Sequence, residues 1–441
     1  MQRRTAGFLV RILCCTVGFA TAFAARGDEP ASRPAPDAPE LAALGPHAVG
    51  LRTLTLVQAD QLDVGALDPA TQAAQTRDRR LTVEVWYPAT HASGATPVTY
   101  EDAMDSEPPA PPSKFRIPGL AVRDAKPALG RHPFVIVSHG YGNVPVAMSW
   151  LTENLASKGY VVAGIRHDDQ YLNPAGLPQG LLRRPLDIAF VASELQRTLA
   201  HEGLVDASRT ALIGYSLGGY GVLTAGGATL ERGSALAVMV PGGALSPYVR
   251  GGVAHDAMRV KNVKAIVALA PAGGAFGAWG ANGLADIRAP LLLIAGDRDL
   301  TVPYDSGARA FFDQATHAAR YLLTFHGGGH ALGLGPAPPE MRTSLWNQDW
   351  FEDPVWRKDR LIGISLHFAT AFLDRYVRGD DSRAAYLDGL VDDASKGAWQ
   401  PPPGTPWGAY SPGGDGVTLW KGFQRRHAES LSLLHAEPVP R

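Results

Sequence analysis

The sequence predicts an α/β protein with a mostly parallel central sheet, helices on both faces of the sheet, and a single main domain. From about Val49 onward, short apolar runs alternate with longer segments of helical periodicity, which is the pattern of repeated βαβ units. Several of the short runs are continuously apolar, as strands buried on both faces are expected to be. The chain has 441 residues, of which 45% are apolar, so it can bury a large core.

Seven segments have the composition and length of strands. The first, Leu81–Tyr87, alternates between apolar and polar residues and stops at Pro88. The second, Phe134–Val137, is apolar throughout. The remaining five are Tyr160–Ile165, Thr210–Ile213, Ala265–Leu269, Leu291–Ile294 and Tyr321–Phe325.

Helices are predicted between these strands and after the last of them. The segments between strands that show helical spacing are Trp150–Ser157, Leu186–Leu199 and Ser306–Ala315. After the last strand, apolar and aromatic residues recur at near-helical intervals. We interpret this stripe as the core-facing side of a helix, and its members are Leu361, Ile364, Phe368, Phe372 and Tyr376.

The N-terminal residues 1–24 are predicted to be a signal peptide. Arg3 and Arg4 precede an apolar stretch, and Ala22–Ala24 fits a small-x-small cleavage site. Arg11 interrupts the apolar stretch, which falls short of the ~20 residues that a membrane span needs. We therefore expect export to the periplasm or the medium, and no integral membrane span.

Composition divides the rest of the chain into three parts. Residues 25–47 are predicted to be a Pro-rich linker, residues 48–379 hold the predicted strands and helices, and residues 380–441 form a C-terminal extension. Within the main part, the connections 89–131 and 226–262 do not fit compact βα units. Connections of this length often serve function, so we expect them to form walls or lids of a binding site.

Charge and cysteine content exclude several classes of function. The 41 basic and 42 acidic residues are interspersed, which leaves no electrostatic footprint for nucleic acid. One of the densest basic spots, Arg183-Arg184, is expected to be solvated surface. The two cysteines, Cys14 and Cys15, lie inside the predicted signal peptide. The mature chain would therefore have no thiol nucleophile, disulfide or cysteine metal site.

The segment Gly214–Gly218 (GYSLG) follows a predicted strand and opens a predicted helix. A serine at such a turn needs flanking glycines, because larger side chains would clash with the neighbouring strand and helix. The turn lifts the Ser216 hydroxyl clear of the sheet. In a chain with 49 glycines the pentapeptide alone is weak evidence, and its position between strand and helix is what makes Ser216 the candidate nucleophile.

A serine hydroxyl needs a base to activate it, and the base needs an acid to orient it. In the chain order serine, acid, histidine, the acid lies in the loop after a later strand. The loop after Leu291–Ile294 offers Asp297 and Asp299. Asp299 has the spacing from Gly296 that is typical of such an acid, whereas Asp297 is expected to cap the turn.

The base is expected in the loop after the last strand, where two histidines occur. His326 lies at the strand end, a common position for a buried or edge histidine. His330 follows three glycines, which give the loop the freedom to bring its imidazole over Ser216. His330 is therefore the candidate base, and other histidines such as His167 and His317 are expected at the surface or in turns.

Stabilisation of an oxyanion requires donors near the serine. The segment Ser138–Gly142 (SHGYG) follows a buried strand, where the first such donor is expected. We predict the backbone N–H of Tyr141 as one donor and that of Leu217 as the other. His139 is expected to brace the loop. Oxyanion loop, serine, acid and histidine thus agree in type, order and context.

At these residues the chain resembles the bacterial dienelactone-hydrolase-like esterases, and also the platelet-activating-factor acetylhydrolases and the polyester-cleaving cutinases. The resemblance covers about residues 49–379. The matching segments are Leu81–Pro88, Pro133–Gly140, Leu155–Val162, Gly214–Gly219 and Gly296–Asp299. One departure is the serine at position 216, because dienelactone hydrolases proper use a cysteine there. Dienelactone is therefore not the substrate that the resemblance predicts.

The resemblance implies an α/β-hydrolase fold and a carboxylic ester hydrolase that needs no metal or other cofactor. It assigns the catalytic triad to Ser216, Asp299 and His330, and the oxyanion hole to Tyr141 and Leu217. It also sets Trp279 near the position of a substrate-contacting tryptophan in cutinase-like enzymes. A tryptophan that packs in the core or against a loop fits that position equally well.

These observations favour an exported serine esterase that acts on a small-molecule ester through an acyl-enzyme. An amidase or peptidase with the same triad is an alternative that no sequence feature separates from it. A non-catalytic secreted binding protein of the same fold is a third hypothesis. Such proteins usually lose a triad member, and none is missing here.

Overall fold

Ten of the twelve described strands form one large sheet, and the other two form a separate hairpin. The computed structural model describes residues 35–68, 71, 74–91, 93–173, 176–388, 391–398 and 417–440. The predicted signal peptide, residues 1–24, lies outside these. The strands are β1 (Ala48–Leu67), β2 (Ala74–Ala89), β3 (Thr99–Met104), β4 (Ser113–Pro118), β5 (Val122–Arg123), β6 (His132–Ser138), β7 (Val161–Arg166), β8 (Val205–Tyr215), β9 (Val263–Leu269), β10 (Leu291–Gly296), β11 (Arg320–Phe325) and β12 (Leu431–Ala436).

Seven α-helices connect or flank these strands in the described part of the chain. They are α1 (Ser149–Ser157), α2 (Gly176–His201), α3 (Leu217–Ala225), α4 (Ala235–Met239), α5 (Ala310–Gln314), α6 (Leu345–Gln348) and α7 (Lys358–Leu373). A turn of π-helix, Asp305–Arg309, precedes α5, and another, Asp374–Arg378, extends α7. None of the helices in the described residues is long and apolar enough to cross a membrane.

The sheet is parallel at its centre, antiparallel where β2 and β12 pair with their neighbours, and parallel again at the short edge strand β5, which pairs with β1. Its order is β12-β11-β10-β9-β8-β6-β7-β2-β1-β5. The six neighbouring strands from β11 to β7 pair in parallel, whereas β2 pairs antiparallel with both β7 and β1, and β12 pairs antiparallel with β11. The predicted mostly parallel sheet of an α/β protein is confirmed.

Alternate residues of the central strands enter two apolar cores, one on each face of the sheet. In β6, Val135 and Val137 pack in the core that α1 and α7 cover. Phe134 and Ile136 point the other way, into the core that α2, α3 and α5 cover. Continuous apolar runs were therefore the right signal for these strands, because both of their faces are buried.

The C-terminal extension contributes strand β12 to the main sheet. Leu431 and Leu433 of β12 are buried, and β12 pairs with β11 over six residues. Trp420 and Phe423, which precede β12, are buried against Phe368 of α7. The prolines at 401–403 mark a segment outside the described residues, and the chain then returns to the sheet edge.

The described end of the predicted linker also packs on the folded chain. Residues Glu40–Ala42 form one 3₁₀ turn beside α7. The backbone N–H of Leu41 donates to Nδ1 of His367, and its carbonyl accepts from Nζ of Lys158 at 2.6 Å. The Pro-rich composition predicted a linker, but it could not show that α7 and the end of α1 offer these partners.

Candidate active site

Ser216 lies at a sharp turn between β8 and α3, in a backbone conformation that residues other than glycine rarely adopt. Its φ is 53° and its ψ is −116°. A Cβ on Gly214 would lie 2.2 Å from the carbonyl oxygen of Gly218, and a Cβ on Gly218 would lie 2.0 Å from that of Ser138. The glycines on either side of Ser216 therefore allow the strand, the turn and the oxyanion loop to approach each other closely.

The structure brings Ser216, His330 and Asp299 together in one chain of hydrogen bonds. Nε2 of His330 lies 3.0 Å from Oγ of Ser216, and Nδ1 of His330 lies 2.6 Å from Oδ2 of Asp299. The Asp299 side chain is 2% exposed and that of His330 is 18% exposed. Each member comes from the loop that the sequence predicted. The arrangement can remove a proton from the serine and return it.

The carboxylate of Asp299 is fixed by its own loop. Its Oδ1 accepts hydrogen bonds from the backbone N–H groups of Thr301 and Val302, both at 2.8 Å. Its Oδ2 is left to accept from Nδ1 of His330, because a carboxylate opposite an imidazole N–H can only accept. This hydrogen bond leaves Nε2 of His330 free to accept the serine proton.

The alternative acid and base pair with each other, away from the serine. Nδ1 of His326 lies 2.8 Å from Oδ2 of Asp297, and Oδ1 of Asp297 accepts from the backbone N–H of Gly327 at 2.7 Å. The pair ties the end of β11 to the loop after β10. Asp297 was expected to cap its own turn, and instead it caps the neighbouring one.

Tyr215 supports the imidazole of His330 from the side. The two rings are 5.2 Å apart and tilted by 33°, and the Tyr215 hydroxyl donates to the backbone carbonyl of His330 at 3.1 Å. Burial, and then the charge of Asp299, raises the pKa of Tyr215. The hydroxyl therefore stays protonated and able to donate.

The two residues predicted to supply the oxyanion donors line the same cavity as Ser216. Tyr141 lies in the loop after β6, and Leu217 is the first residue of α3. Within the described residues, neither backbone N–H donates to another backbone carbonyl. The N-terminus of α3 also carries a partial positive charge that favours an anion. Both amides are thus available to a negatively charged oxygen at Ser216.

A network of buried charges lies behind the oxyanion loop. Asp187 accepts from Nε and Nη2 of Arg79, both at 2.7 Å, and from Nδ1 of His167 at 2.9 Å. Burial acts to raise the pKa of Asp187, but Arg79 and His167 outweigh it and hold the pKa far below its usual range. Burial, and then the charge of Arg184, lowers the pKa of His167 to about 4.

This network overturns two expectations from the sequence. Arg183 and Arg184 were expected to be solvated, but they are 2% and 0% exposed. His167 was expected at the surface or in a turn, and it is 3% exposed. The sequence shows the basic pair, but it does not show that Asp187 and Asp169 lie beside these arginines. Their carboxylates offset the free-energy cost of burying the two positive charges.

A largely apolar cavity of about 470 Å³ opens beside the candidate triad. Apart from the site residues themselves, its walls come from the loop after β7, the start of α2, the loop after β9, the loop after β10 and the segment around α6. The lining residues from these walls include Leu172, Leu177, Phe276, Thr301, Val302, Trp346, Asp349 and Trp350. The cavity can hold an apolar group next to the serine.

The walls of this cavity were not found from the sequence. None of the lining residues belongs to the connections 89–131 or 226–262, which were expected to form walls or lids. Connection 89–131 acts indirectly, since Asp105 accepts from the backbone N–H of Leu172 at 2.6 Å. The sequence feature that could have indicated this wall is the pair Trp346 and Trp350, which occurs in a Pro-rich segment before the last helix.

Trp279 does not line the cavity, which corrects its assignment as a substrate contact. Its side chain is 2% exposed, lies between Tyr220 and Phe311, and donates from Nε1 to Oγ1 of Thr224 at 3.1 Å. It is a core residue behind α3. Phe276, from the same connection, lines the cavity instead.

No group of three or more metal-ligating side chains is gathered to hold a metal ion within the part of the chain that the structure describes. His326, the most exposed of the histidines discussed above, is paired with Asp297.

Comparison with known proteins gives two family matches. Residues 125–242 match the family described as PET hydrolase-like, and residues 43–173 match the family described as platelet-activating factor acetylhydrolase, isoform II. Among solved structures, the chain is similar to a ferulic acid esterase from Streptomyces cinnamoneus. The identity is 22%, the match covers 80% of this chain and 94% of that one, and the TM-score is 0.49. None of the curated proteins compared with the chain matches it.

Proposed function

We propose that this chain, which belongs to the α/β-hydrolase serine esterases, cleaves carboxylic esters with Ser216 as nucleophile, His330 as base and Asp299 as orienting acid. The observation that carries the proposal is the continuous hydrogen-bond chain from Oγ of Ser216 through His330 to Asp299. The cavity beside the serine supports it, because it gives the ester a place to bind.

The geometry supports a two-step reaction through an acyl-enzyme. Nε2 of His330 takes the proton of Ser216 as Oγ attacks the ester carbonyl carbon, and Asp299 stabilises the imidazolium. The carbonyl oxygen becomes an oxyanion that the N–H groups of Tyr141 and Leu217 can bind. Collapse expels the alcohol with the proton from His330 and leaves an acyl-serine. Water, deprotonated by His330, then releases the carboxylic acid and restores the serine.

The lining of the cavity favours esters with an apolar acyl or alcohol group. Trp346 and Trp350 stand edge to face, with ring centroids 5.6 Å apart, and Leu172 and Phe276 lie in the same cavity. Aromatic surfaces of this kind bind flat or extended apolar groups. The families that match parts of the chain are described as PET hydrolase-like and as platelet-activating factor acetylhydrolase, isoform II, and both descriptions name hydrolases.

The test compares the wild type with Ser216→Ala on p-nitrophenyl esters of increasing acyl length, with a p-nitroanilide as the amide control. We expect the wild type to cleave the esters much faster than the anilide, and Ser216→Ala to be inactive on both. Labelling by a fluorophosphonate probe should occur in the wild type alone. Full ester hydrolysis by Ser216→Ala would refute the assignment, and faster cleavage of the anilide would replace esterase by amidase.

We propose also that the protein is exported after cleavage near Ala24. The support is the order of basic residues, apolar stretch and small residues over positions 1–24. Expression in a Gram-negative host, followed by N-terminal sequencing of the periplasmic protein, tests this. A mature N-terminus close to residue 25 is expected, and recovery of the intact chain from the cytoplasm would contradict export.

A further inference from the structure

The peptide group that carries the Tyr141 N–H is held by two side chains on its carbonyl side. The carbonyl oxygen of Gly140 accepts a hydrogen bond from Nη2 of Arg184 at 3.0 Å and another from Nδ1 of His139 at 2.7 Å. The preceding carbonyl, that of His139, accepts from Nη1 of Arg184. Hydrogen bonds to two successive carbonyl groups therefore hold the oxyanion loop in place.

The Gly140 carbonyl and the Tyr141 N–H belong to the same peptide group. A trans peptide is planar, and its C=O and N–H point in opposite directions. Whatever fixes the direction of the Gly140 oxygen thus also fixes the direction of the Tyr141 N–H. Hydrogen bonds to the oxygen further polarise the peptide, so that its N–H becomes a stronger donor in a site of low dielectric.

We propose that Arg184 and His139 are positioning residues for ester hydrolysis: together they aim the Tyr141 N–H at the oxyanion and strengthen it as a donor. This rests on the proposed function, because it assigns a purpose to the oxyanion hole of that reaction. Neither side chain lines the cavity. Both act through the Gly140–Tyr141 peptide.

Arg184 is itself held rigidly in place. Its side chain is fully buried, and Asp169 accepts from Nε at 2.9 Å and from Nη2 at 2.8 Å. Nη1 also lies 3.2 Å from Oγ of Ser138. A guanidinium is a planar fork of donors, so two bonds to one carboxylate leave its other N–H groups in fixed directions. Those directions meet the carbonyls of the oxyanion loop.

The partners of His139 determine how its proton is placed. The Gly140 carbonyl can only accept, so Nδ1 carries the proton, and Nε2 faces the backbone N–H of His167 at 3.5 Å as an acceptor. Only the neutral imidazole can donate from Nδ1 and accept at Nε2 at the same time. Burial, and then the charge of Arg184, lowers the pKa of His139 well below its ordinary value, which agrees with that neutral form.

The test uses Arg184→Lys, His139→Phe and His139→Asn. The lysine keeps the positive charge but lacks the planar, forked set of N–H donors that arginine has. The phenylalanine keeps the ring volume but loses the Nδ1 donor, and the asparagine restores a donor at that position. We expect kcat to fall about 10- to 100-fold in Arg184→Lys and in His139→Phe, with KM within about threefold of the wild type, and His139→Asn to recover most of the loss.

A second readout separates positioning from a general structural role. A trifluoromethyl ketone forms a hemiketal oxyanion with the serine. The corresponding secondary alcohol occupies the cavity but cannot form this oxyanion. Affinity for the ketone should fall by the same factor as kcat, and affinity for the alcohol should stay unchanged. Folding is checked by circular dichroism and thermal unfolding. If Arg184→Lys does not fold, the two His139 variants decide, since they leave the Arg184–Asp169 pair intact.

The proposal is overturned if folded His139→Phe keeps wild-type kcat, or if His139→Asn is no more active than His139→Phe. It is also overturned if affinity for the ketone and for the alcohol fall together. Failure of the proposed function is a different result: the fluorophosphonate probe would not label Ser216 in the wild type, or Ser216→Ala would stay active.

Discussion

Nδ1 of His330 lies 2.6 Å from Oδ2 of Asp299, in one of two histidine–aspartate pairs that join the loops after β10 and β11. The second pair, His326 with Asp297, is joined at 2.8 Å by the same atoms of the two residue types. Both aspartates come from the loop after β10 and both histidines from the loop after β11. Only His330 also reaches Ser216, at 3.0 Å.

The two pairs provide a matched test of the acid. We expect Asp299→Asn to lower kcat by about 10⁴-fold, because an amide cannot hold the histidine in the tautomer that accepts the serine proton. Asp297→Asn removes the corresponding carboxylate from the other pair and should leave kcat within about twofold. Hydrolysis of a p-nitrophenyl ester by the two purified variants gives the answer, and equal losses would contradict the assignment.

The turn at the serine predicts an effect of a single methyl group. In Gly218→Ala the new Cβ would lie 2.0 Å from the carbonyl oxygen of Ser138, so the serine turn and the oxyanion loop must separate. A displacement of about 1 Å in an active site can cost 10²-fold in rate, and we expect kcat/KM to fall at least that far.

Gly233→Ala is the control for this substitution, since a Cβ there meets nothing within 4 Å. It should change neither kcat/KM nor the melting temperature by a measurable amount. Thermal unfolding of both variants shows whether Gly218→Ala also destabilises the fold. Wild-type kcat/KM in Gly218→Ala would mean that the close approach of the two loops is not needed.

The aromatic wall predicts a change in substrate preference. Trp346→Ala removes one side of the cavity, and we expect KM for a long-chain or aromatic ester to rise about tenfold, which is about 1.4 kcal/mol of binding free energy. KM for an acetate ester should change little, because a short acyl group does not reach the wall. Leu345→Ala, on the same helix but 78% exposed, is the matched control. A uniform rise in KM for all esters would contradict this role.

A buried histidine far from the serine predicts acid sensitivity of the fold. Burial, and then the charge of Lys158, lowers the pKa of His367 from 6.5 to about 3. Between pH 6.5 and about 3, His367 is therefore protonated in the unfolded chain but stays neutral in the folded chain. The free energy of unfolding should fall as the pH drops from 6.5 towards 3, by up to about 1.4 kcal/mol per pH unit from this residue.

His367→Gln tests this contribution. Glutamine does not titrate, and its side-chain oxygen can accept from the Leu41 backbone N–H as Nδ1 of His367 does. Urea unfolding at pH 7, 6, 5 and 4 should give a smaller loss of stability per pH unit in the variant than in the wild type. Identical slopes would show that His367 is not the group that takes up the proton.

Local sequence patterns were enough to predict the class of fold and the candidate residues at the ends of the strands. Continuous apolar runs marked the parallel strands, because strands buried on both faces admit few polar residues. The glycines around Ser216 and the order of serine, acid and histidine marked the loops. In a parallel sheet these loops all lie at the same edge, so local patterns were enough to gather them.

Features that depend on partners distant in the chain could not be predicted from local patterns. Arg184 was expected at the surface and is buried, because Asp169 and the carbonyls of the oxyanion loop lie where α2 packs. Trp279 packs in the core, and Trp346 and Trp350 form the wall of the cavity. A tryptophan has the same local sequence signal in a core as in a binding site. Only the packing of several segments around it decides which of the two it occupies.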